Sequence, residues 1–383
     1  MSQIRVMVVD DSAFMRLTLK GMIEEDSLFT VVTTARNGHD ALKKLMMYKP
    51  DVITLDIVMG EDMDGLAVLQ EIKRIRPTPT IMVSGASDEN ANYVIDAISN
   101  GAFDFICKPS GRPHDIERIE KELQLKLKEA VLSGKKHSRE TASDSHDLDR
   151  DSRFPSVGSQ LTVPKQPLTF GQPEQARPPL TAFRSALPSI GGGLIFIGTS
   201  TGGPKALQSV VPRLAKDLPV PVLIVQHMPP RFTQSLAQRL NQMSALAVSE
   251  AREGETLERG HAYIAPGGRH LQVISDEQHL KVHLIDTPSV HGVRPAIDVT
   301  MESLLKLSSC PCTVAILTGM GRDGADGLKA LKEHNHAQVF AIAEAEQSCV
   351  VFGMPKAAIE TGKVDQIVAL QDVASAINDR FVK

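Results

Sequence analysis

The chain of 383 residues is 42% hydrophobic and 23% charged, with a formal net charge of −4 at neutral pH. It is long enough for two or more domains with separate cores, and a nucleic-acid-binding protein would ordinarily present a clustered basic face. No apolar run reaches the length of a membrane span, and the N-terminus lacks the basic and apolar segments of a signal peptide. We therefore expect a globular protein of the cytoplasm that neither binds nucleic acid nor inserts into a membrane.

The first part of the chain, residues 1–133, alternates short apolar runs with amphipathic segments. The apolar runs predict strands at residues 4–9, 29–34, 52–55, 80–83 and 103–106. Strands that alternate with helices predict an α/β fold with a doubly wound parallel sheet, whose functional groups collect at the carboxyl ends of the strands. We therefore assign residues 1–133 to one domain with this fold.

Acidic, hydroxyl and basic residues follow four of these five predicted strands. They are Asp10 and Asp11 after the first strand, Asp56 after the third, Ser84 after the fourth and Lys108 after the fifth. Three carboxylates at one sheet edge repel one another, and a hard divalent cation such as Mg²⁺ relieves that repulsion and brings phosphate with it. A lysine supplies a compact positive charge for phosphoryl oxygens, and an aspartate can accept a phosphoryl group. A solvated loop is the alternative for any one of these residues, but it does not explain all five together.

Motifs around these residues resemble the receiver domain of two-component response regulators. They are Val-Val-Asp-Asp-Ser at 8–12, Leu-Asp-Ile-Val-Met at 55–59, Met-Asp-Gly at 63–65 and Cys-Lys-Pro at 107–109. The resemblance implies a flavodoxin-like fold in which Asp56 accepts a phosphoryl group from a chemotaxis-type histidine kinase. It also implies that Asp10 and Asp11 join Asp56 in holding Mg²⁺, and that Ser84 and Lys108 contact the phosphate.

The stretch at 134–190 differs in composition from the sequence on either side. An amphipathic helix is predicted over residues 116–131, and Gly134 is expected to end it. The residues that follow are rich in Ser, Asp, Gln, Arg and Pro, and they carry too few apolar side chains to offset the entropy of ordering. We therefore expect residues 134–190 to form a flexible linker.

A second alternating pattern begins at residue 191. Its first apolar run, at 194–197, leads into Gly-Thr-Ser-Thr-Gly-Gly-Pro at 198–204, and apolar residues at helical spacing follow. The pattern predicts a strand-to-helix turn whose backbone N–H groups face outward, where they can bind an anion or an oxyanion. Ser200 lies at this turn and is a candidate nucleophile. A tight turn without function is one alternative, and a phosphate-binding loop is disfavoured because Pro204 separates the glycines from the lysine.

Three chemically complementary residues follow predicted strands of this second domain. Ser200 comes after the first run, His227 after a strand at 222–225, and Asp323 after a strand at 314–317. If the three strands belong to one parallel sheet, these side chains meet at its carboxyl edge. An imidazole can then take the hydroxyl proton while the carboxylate fixes its tautomer and orientation. A capping or loop role is the alternative for the histidine taken alone.

Six motifs of this domain resemble the catalytic domain of the CheB family of chemotaxis protein-glutamate methylesterases. They lie at residues 197–204, 226–230, 262–267, 294–298, 317–324 and 348–355. The resemblance implies that Ser200 is the nucleophile, His227 the general base and Asp323 the residue that orients the imidazole. It also implies an oxyanion hole formed by the backbone N–H groups of Thr201 and Met320, and no metal or other cofactor in this domain.

The same resemblance implies an activity and its regulation. Residues 191–383 would form a Rossmann-like α/β domain that hydrolyses glutamate γ-methyl esters on the cytoplasmic helices of methyl-accepting chemoreceptors, releasing methanol. The same attack on a glutamine amide would release ammonia. The unphosphorylated receiver would pack over the catalytic cleft, and phosphorylation would weaken that packing.

Three other functions are alternatives to this methylesterase activity. A transcriptional response regulator would need a helix-turn-helix and a basic face, and neither is found in the sequence. A nucleotide-binding α/β module could use the glycine-rich turn at Ser200. A methylesterase that serves a receptor array outside chemotaxis would use the same chemistry with another docking surface, so the sequence leaves it open.

Overall fold

The structure is a computed structural model, and it describes residues 3–60, 63–85, 87–109, 113–144, 193–276, 279–307, 311–334 and 338–381. It contains two α/β units that follow each other along the chain, each built around its own parallel sheet. Within these described ranges, no helix is both long enough and apolar enough to cross a membrane.

The first unit has five parallel strands in the order β2-β1-β3-β4-β5. The strands are β1 (Ile4–Val9), β2 (Phe29–Ala35), β3 (Val52–Asp56), β4 (Thr80–Ser84) and β5 (Asp104–Cys107). Each predicted strand is present within one residue of its predicted bounds. The doubly wound order is confirmed, and it is the flavodoxin-like one.

Five helices connect and cover these strands. They are α1 (Ala13–Glu24), α2 (Gly38–Tyr48), α3 (Gly65–Ile75), α4 (Asp88–Ser99) and α5 (Pro113–Asp144). Helices α1 and α5 bury apolar side chains on one face of the sheet, and α2, α3 and α4 bury theirs on the other. The first four helices begin after a residue whose side chain accepts a hydrogen bond from a first-turn N–H; these residues are Ser12, Asn37, Asp64 and Ser87.

The prediction that Gly134 ends the last helix of this unit is wrong. Helix α5 continues past Gly134 to Asp144. A Cβ added at Gly134 would lie 2.9 Å from Cγ of Pro79, so the glycine allows a close approach inside the helix instead of terminating it. The rest of the predicted linker, residues 145–190, lies outside the described residues.

The second unit has a seven-stranded parallel sheet in the order β14-β13-β12-β6-β7-β9-β8. Its strands are β6 (Leu194–Thr199), β7 (Val222–Gln226), β8 (Ala247–Glu250), β9 (His261–Ile264), β12 (Cys312–Ile316), β13 (Val339–Glu344) and β14 (Gln366–Val368). An antiparallel hairpin of β10 (His270–Asp276) and β11 (His279–Ile285) lies apart from this sheet. Strand β6 lies between β12 and β7, so the three strands that precede Ser200, His227 and Asp323 are adjacent.

In its described residues, the second unit has six α-helices. They are α6 (Gly203–Val210), α7 (Phe232–Met243), α8 (Ile297–Leu304), α9 (Ala325–His334), α10 (Met354–Glu360) and α11 (Leu370–Asn378). Strands β6, β7 and β12 are buried throughout because helices cover both faces of the sheet. This is why their sequences are uninterrupted apolar runs rather than alternating ones.

The two units pack against each other through α4 of the first and α6 and α7 of the second. The ring of Phe105 in β5 stacks on the ring of Phe232 at the start of α7, with centroids 4.6 Å apart and planes 24° apart. At the end of α4, the Ser99 hydroxyl lies 2.9 Å from Oε1 of Gln208 in α6. Buried apolar side chains of both units form one continuous cluster across this contact.

Candidate active site

Ser200 and His227 lie side by side at the carboxyl edge of the second sheet. Thr199 pairs in register with Gln226, and each candidate residue directly follows one member of this pair. The backbone N–H of His227 donates to the carbonyl of Thr199 at 3.1 Å, which continues the ladder past the strand ends. Neighbouring strands lie about 4.8 Å apart, so adjacent strands bring the two residues close together despite their separation in sequence.

His227 forms a short hydrogen bond with Asp323. Its Nε2 lies 2.7 Å from Oδ2 of Asp323, and the carboxylate is 2% exposed. The backbone N–H groups of Ile297 and Asp298, at the start of α8, donate to the same carboxylate at 2.6 and 2.9 Å. Burial alone would raise the pKa of Asp323, but the hydrogen bonds from His227 and the backbone lower that pKa below its usual value. The carboxylate is therefore held ionised and fixed against the imidazole.

The turn at Ser200 depends on small residues. Gly202 has a φ of 78°, a conformation that L side chains rarely adopt, and it is the N-cap of α6. A Cβ at Gly203 would lie 2.0 Å from Oε1 of Gln226 and 2.2 Å from Oγ1 of Thr199. Glycine at these positions therefore lets α6 start against the end of β7, with Ser200 at the tip of the turn.

The predicted oxyanion donors lie on the two loops that meet at Ser200. The N–H of Ser200 donates to the carbonyl of Thr318 at 3.0 Å, and a Cβ at Gly319 would lie 2.8 Å from Cβ of Ser200. Thr201 and Met320 are joined by a contact of 3.2 Å between the threonine hydroxyl and the methionine sulfur. In the described part of the chain, the N–H groups of these two residues donate no hydrogen bond. They are therefore available to an oxygen atom beside Ser200.

Three further residues support this edge of the sheet. The side-chain amide of Gln226 donates to the carbonyls of Ser200 and His227, at 2.9 and 3.2 Å. Glu344 and Asp298 accept hydrogen bonds from backbone N–H groups of the loops that carry Met320 and Asp323, respectively. Gln226 and Asp298 belong to two of the sequence motifs and Glu344 to none, and these supporting contacts were not predicted because each joins residues distant in sequence.

The predicted phosphorylation site forms a second cluster at the carboxyl edge of the first sheet. Carboxylate oxygens of Asp10, Asp11 and Asp56 all lie within 4.8 Å of one another. Nζ of Lys108 lies 2.7 Å from Oδ2 of Asp56 and 3.0 Å from Oδ2 of Asp10. Burial raises the pKa of Asp56 to about 6, although the lysine favours the ionised form. The ammonium group of Lys108 thus lies beside two of three closely spaced carboxylates.

Ser84 lies next to this cluster at the end of β4. Asp56 pairs with Val83 in the register of β3 and β4, so Ser84 comes one residue beyond the residue that pairs with Asp56. Its hydroxyl is buried and donates to the carbonyl of Gly85 at 3.1 Å, and its carbonyl accepts from the N–H of Lys108 at 2.8 Å. The fold thus gathers all five residues that were predicted to act together in the first domain.

The fold and the two sites define a response regulator whose receiver is followed by an α/β unit with a Ser-His-Asp arrangement. Residues 6–120 match the family model of the response regulator receiver domain, and residues 195–377 match that of the CheB methylesterase. The protein-glutamate methylesterase/protein-glutamine glutaminase of Halalkalibacterium halodurans is 44% identical over 376 residues, which are 98% of this chain and 98% of that protein. The chain belongs to the CheB family of protein-glutamate methylesterases.

Another relative matches this chain over nearly its whole length. The protein-glutamate methylesterase/protein-glutamine glutaminase of Bacillus subtilis is 42% identical over 379 residues, covering 98% of this chain and 97% of that protein. A solved structure, the CheB methylesterase catalytic domain of Thermotoga maritima, is 39% identical with a TM-score of 0.47 and covers 49% of this chain and 97% of that chain. The whole-chain relatives match the receiver and the catalytic unit together.

Proposed function

We propose that this chain hydrolyses glutamate γ-methyl esters on the cytoplasmic helices of chemoreceptors and deamidates glutamines at such positions. The observation that carries the proposal is the contact between His227 and Asp323 beside Ser200, at the edge where two N–H groups are available. The names of the whole-chain relatives support the same activity. We further propose that the protein acts in the cytoplasm.

The proposed mechanism uses the three side chains in turn. Because Nε2 of His227 faces Asp323, Nδ1 is the ring nitrogen that takes the proton of the Ser200 hydroxyl as its oxygen attacks the ester carbonyl. The oxyanion that forms accepts hydrogen bonds from the N–H groups of Thr201 and Met320. The imidazolium then donates its proton to the leaving methoxide, methanol departs, and a water molecule activated by His227 hydrolyses the acyl-enzyme to the carboxylate.

Glutamine deamidation follows the same steps with ammonia as the leaving group. An amide nitrogen must be protonated before it can leave, so this reaction depends more strongly on the imidazolium of His227. The contact with Asp323 stabilises that imidazolium. We therefore propose one site for both reactions, with the ester as the easier substrate.

The receiver supplies the proposed control. Three carboxylates with oxygens within 4.8 Å fit a hard divalent cation, and Asp10, Asp11 and Asp56 would hold Mg²⁺ there. When bound, Mg²⁺ neutralises charge on the carboxylates and on an incoming phosphoryl group. Asp56 would accept the phosphoryl group from a chemotaxis-type histidine kinase, with Lys108 at 2.7 Å and Ser84 at the end of the neighbouring strand β4.

Phosphorylation would act through the contact between the two units. Helices α6 and α7, on which the receiver packs, begin directly after the segments that carry Ser200 and His227. The stacked pair of Phe105 and Phe232 links β5 of the receiver to the first residue of α7. We propose that this docked arrangement is the less active one, and that phosphorylation of Asp56 weakens the docking.

Release of labelled methanol tests the proposed activity. Membranes that carry methyl-labelled receptors are incubated with the wild-type chain, with Ser200→Ala and with Ser209→Ala. Ser209 is exposed on α6, so it is a matched serine outside the site. We expect release by wild type and Ser209→Ala and none by Ser200→Ala. Release by Ser200→Ala at the wild-type rate would contradict the proposed role of Ser200. No release by the wild type, together with nucleotide binding that Ser200→Ala abolishes, would favour the nucleotide-binding alternative.

A further inference from the structure

A buried carboxylate lies behind the turn at Ser200 and has no part in the mechanism above. Glu344 is the last residue of β13, and its side chain is 0% exposed. Its Oε2 accepts a hydrogen bond of 2.9 Å from the N–H of Thr318, and its Oε1 accepts one of 3.0 Å from the hydroxyl of Ser348. Across the ranges that the structure describes, no basic side chain forms an ion pair with it.

Thr318 connects this carboxylate to the candidate catalytic groups. Its carbonyl accepts from the N–H of Ser200 at 3.0 Å, and its hydroxyl lies 3.0 Å from the carbonyl of Thr201, to which it can donate. Met320, the other proposed oxyanion donor, follows two residues later on the same loop. The residue whose N–H is bonded to Glu344 thus binds the N–H of the nucleophile and the carbonyl of Thr201, and it begins the loop that carries Met320.

A carboxylate in this place is costly. An ionised group without a cationic partner loses its hydration on burial, and a neutral amide could accept the same hydrogen bond from Thr318. Burial accordingly raises the pKa of Glu344 above its usual value, although hydrogen bonds from Thr318, Ser348 and Cys349 favour the ionised form. An ionised carboxylate accepts a stronger and more directional hydrogen bond from the N–H of Thr318 than a neutral amide oxygen would.

Stiffness at this point matters because oxyanion donors stabilise a transition state only when they are already in place before the reaction begins. A small displacement of such a donor costs a large factor in rate. In the described residues, Thr318 is fixed by its hydrogen bonds with Glu344 and Val351: its N–H donates to Glu344, and its hydroxyl accepts from the N–H of Val351 at 2.9 Å. The N–H groups of Thr201 and Met320 have no such bonds of their own.

We propose that Glu344 is a positioning residue for the hydrolysis: through Thr318, it holds the N–H of Ser200, the carbonyl of Thr201 and the start of the loop that carries Met320 in the arrangement that the oxyanion needs. This inference rests on the proposed function of the site. Glu344 touches no reacting atom, so its effect is confined to the organisation of the loop that starts at Thr318.

Steady-state kinetics of the full-length chain on methylated receptor membranes test the proposal with two pairs of variants. Glu344→Leu removes the acceptor and Glu344→Gln keeps one; Thr318→Val removes the hydroxyl and Thr318→Ser keeps it. We expect Glu344→Leu and Thr318→Val each to lower kcat by about tenfold or more with KM within about twofold, since a misplaced donor costs on that order. The conservative partner of each pair is expected to recover most of kcat.

Ser348→Ala serves as the control, because it removes another hydrogen-bond donor to Glu344 and leaves the bond with Thr318 in place. It is expected to leave kcat within about twofold of wild type, because Ser348 lies outside the loop that starts at Thr318. Wild-type kcat in Glu344→Leu and Thr318→Val, or an equal loss in Ser348→Ala, would overturn the proposal. If Glu344→Leu does not fold, Glu344→Asp replaces it, because the shorter side chain withdraws the acceptor from the N–H of Thr318; the same fall in kcat is expected, and wild-type kcat in Glu344→Asp would overturn the proposal. Activity that persists in Ser200→Ala would instead overturn the proposed function itself.

Discussion

Asp298 donates its backbone N–H to Oδ1 of Asp323 at 2.9 Å, while its own carboxylate accepts the N–H groups of Gly324 and Gly327 at 2.9 and 2.7 Å. Two aspartates that are distant in sequence therefore tie the start of α8 to the loop that orients His227. Burial and the neighbouring charge of Asp323 both raise the pKa of Asp298. The second carboxylate is retained beside the first because it satisfies backbone donors that would otherwise be buried without acceptors.

Asp298→Ala should lower both the melting temperature and kcat, since two buried N–H groups lose their acceptor and the loop of Asp323 is released. Asp298→Asn keeps an acceptor oxygen and should retain most of both. Thermal melts and methanol release compare the two variants with His291→Ala, which removes only the partly exposed imidazole at 2.9 Å from Asp298. Equal losses in all three variants would contradict the prediction.

Gly319→Ala should inactivate the enzyme while leaving the receiver intact. The added Cβ would lie 2.8 Å from Cβ of Ser200 and 2.3 Å from the sulfur of Met354, so the nucleophile must move. We expect kcat to fall by at least about a hundredfold, as it does for misplacements of reacting groups. The control is Gly21→Ala in α1, where an added Cβ meets nothing within 4 Å. Unchanged methanol release by Gly319→Ala would show that the turn tolerates the side chain.

Phe105→Ala should raise the methylesterase rate of the unphosphorylated full-length chain. The substitution removes the ring that stacks on Phe232 at 4.6 Å, and the receiver then holds α7 less firmly. The comparison is with Phe103→Ala, because Phe103 packs in the core on the other side of the receiver sheet. The rate is measured as methanol release without a phosphodonor. A rate that stays at the wild-type level in Phe105→Ala, or rises equally in both variants, would argue against inhibition by docking.

Glu344→Gln should change how stability depends on pH. Burial raises the pKa of Glu344 above the usual 4.5, so its protonated form stabilises the fold; this contribution is complete below 4.5 and is lost as the pH rises through the folded-state value. The amide has no charge to bury, so its melting temperature relative to wild type should increase with pH over that window and then level off. Melts across a pH series measure the difference, with exposed Glu302→Gln as the control. A difference that is constant with pH would contradict the prediction.

Much of the fold could be predicted because its strands are buried on both faces. Such strands appear as continuous apolar runs, and those before Ser200 and His227 were placed within two residues of their observed ends. The strand before Asp323 begins two residues earlier than predicted, at Cys312. Helix α5 was predicted too short because a glycine was taken as its end, whereas Gly134 allows a close contact with Pro79.

By itself, the sequence determined which residues stand at the carboxyl ends of the strands, since the length of each apolar run places Asp56, Ser200 and His227 just beyond it. Only the tertiary structure decided which ends are neighbours, and it did so through the strand order β12-β6-β7. The supporting roles of Asp298 and Glu344, and the stacking of Phe105 on Phe232, also appear only there. The physical reason is that a local pattern records the burial of a segment, whereas a hydrogen bond or a ring contact between distant segments exists only once the sheets have formed and packed.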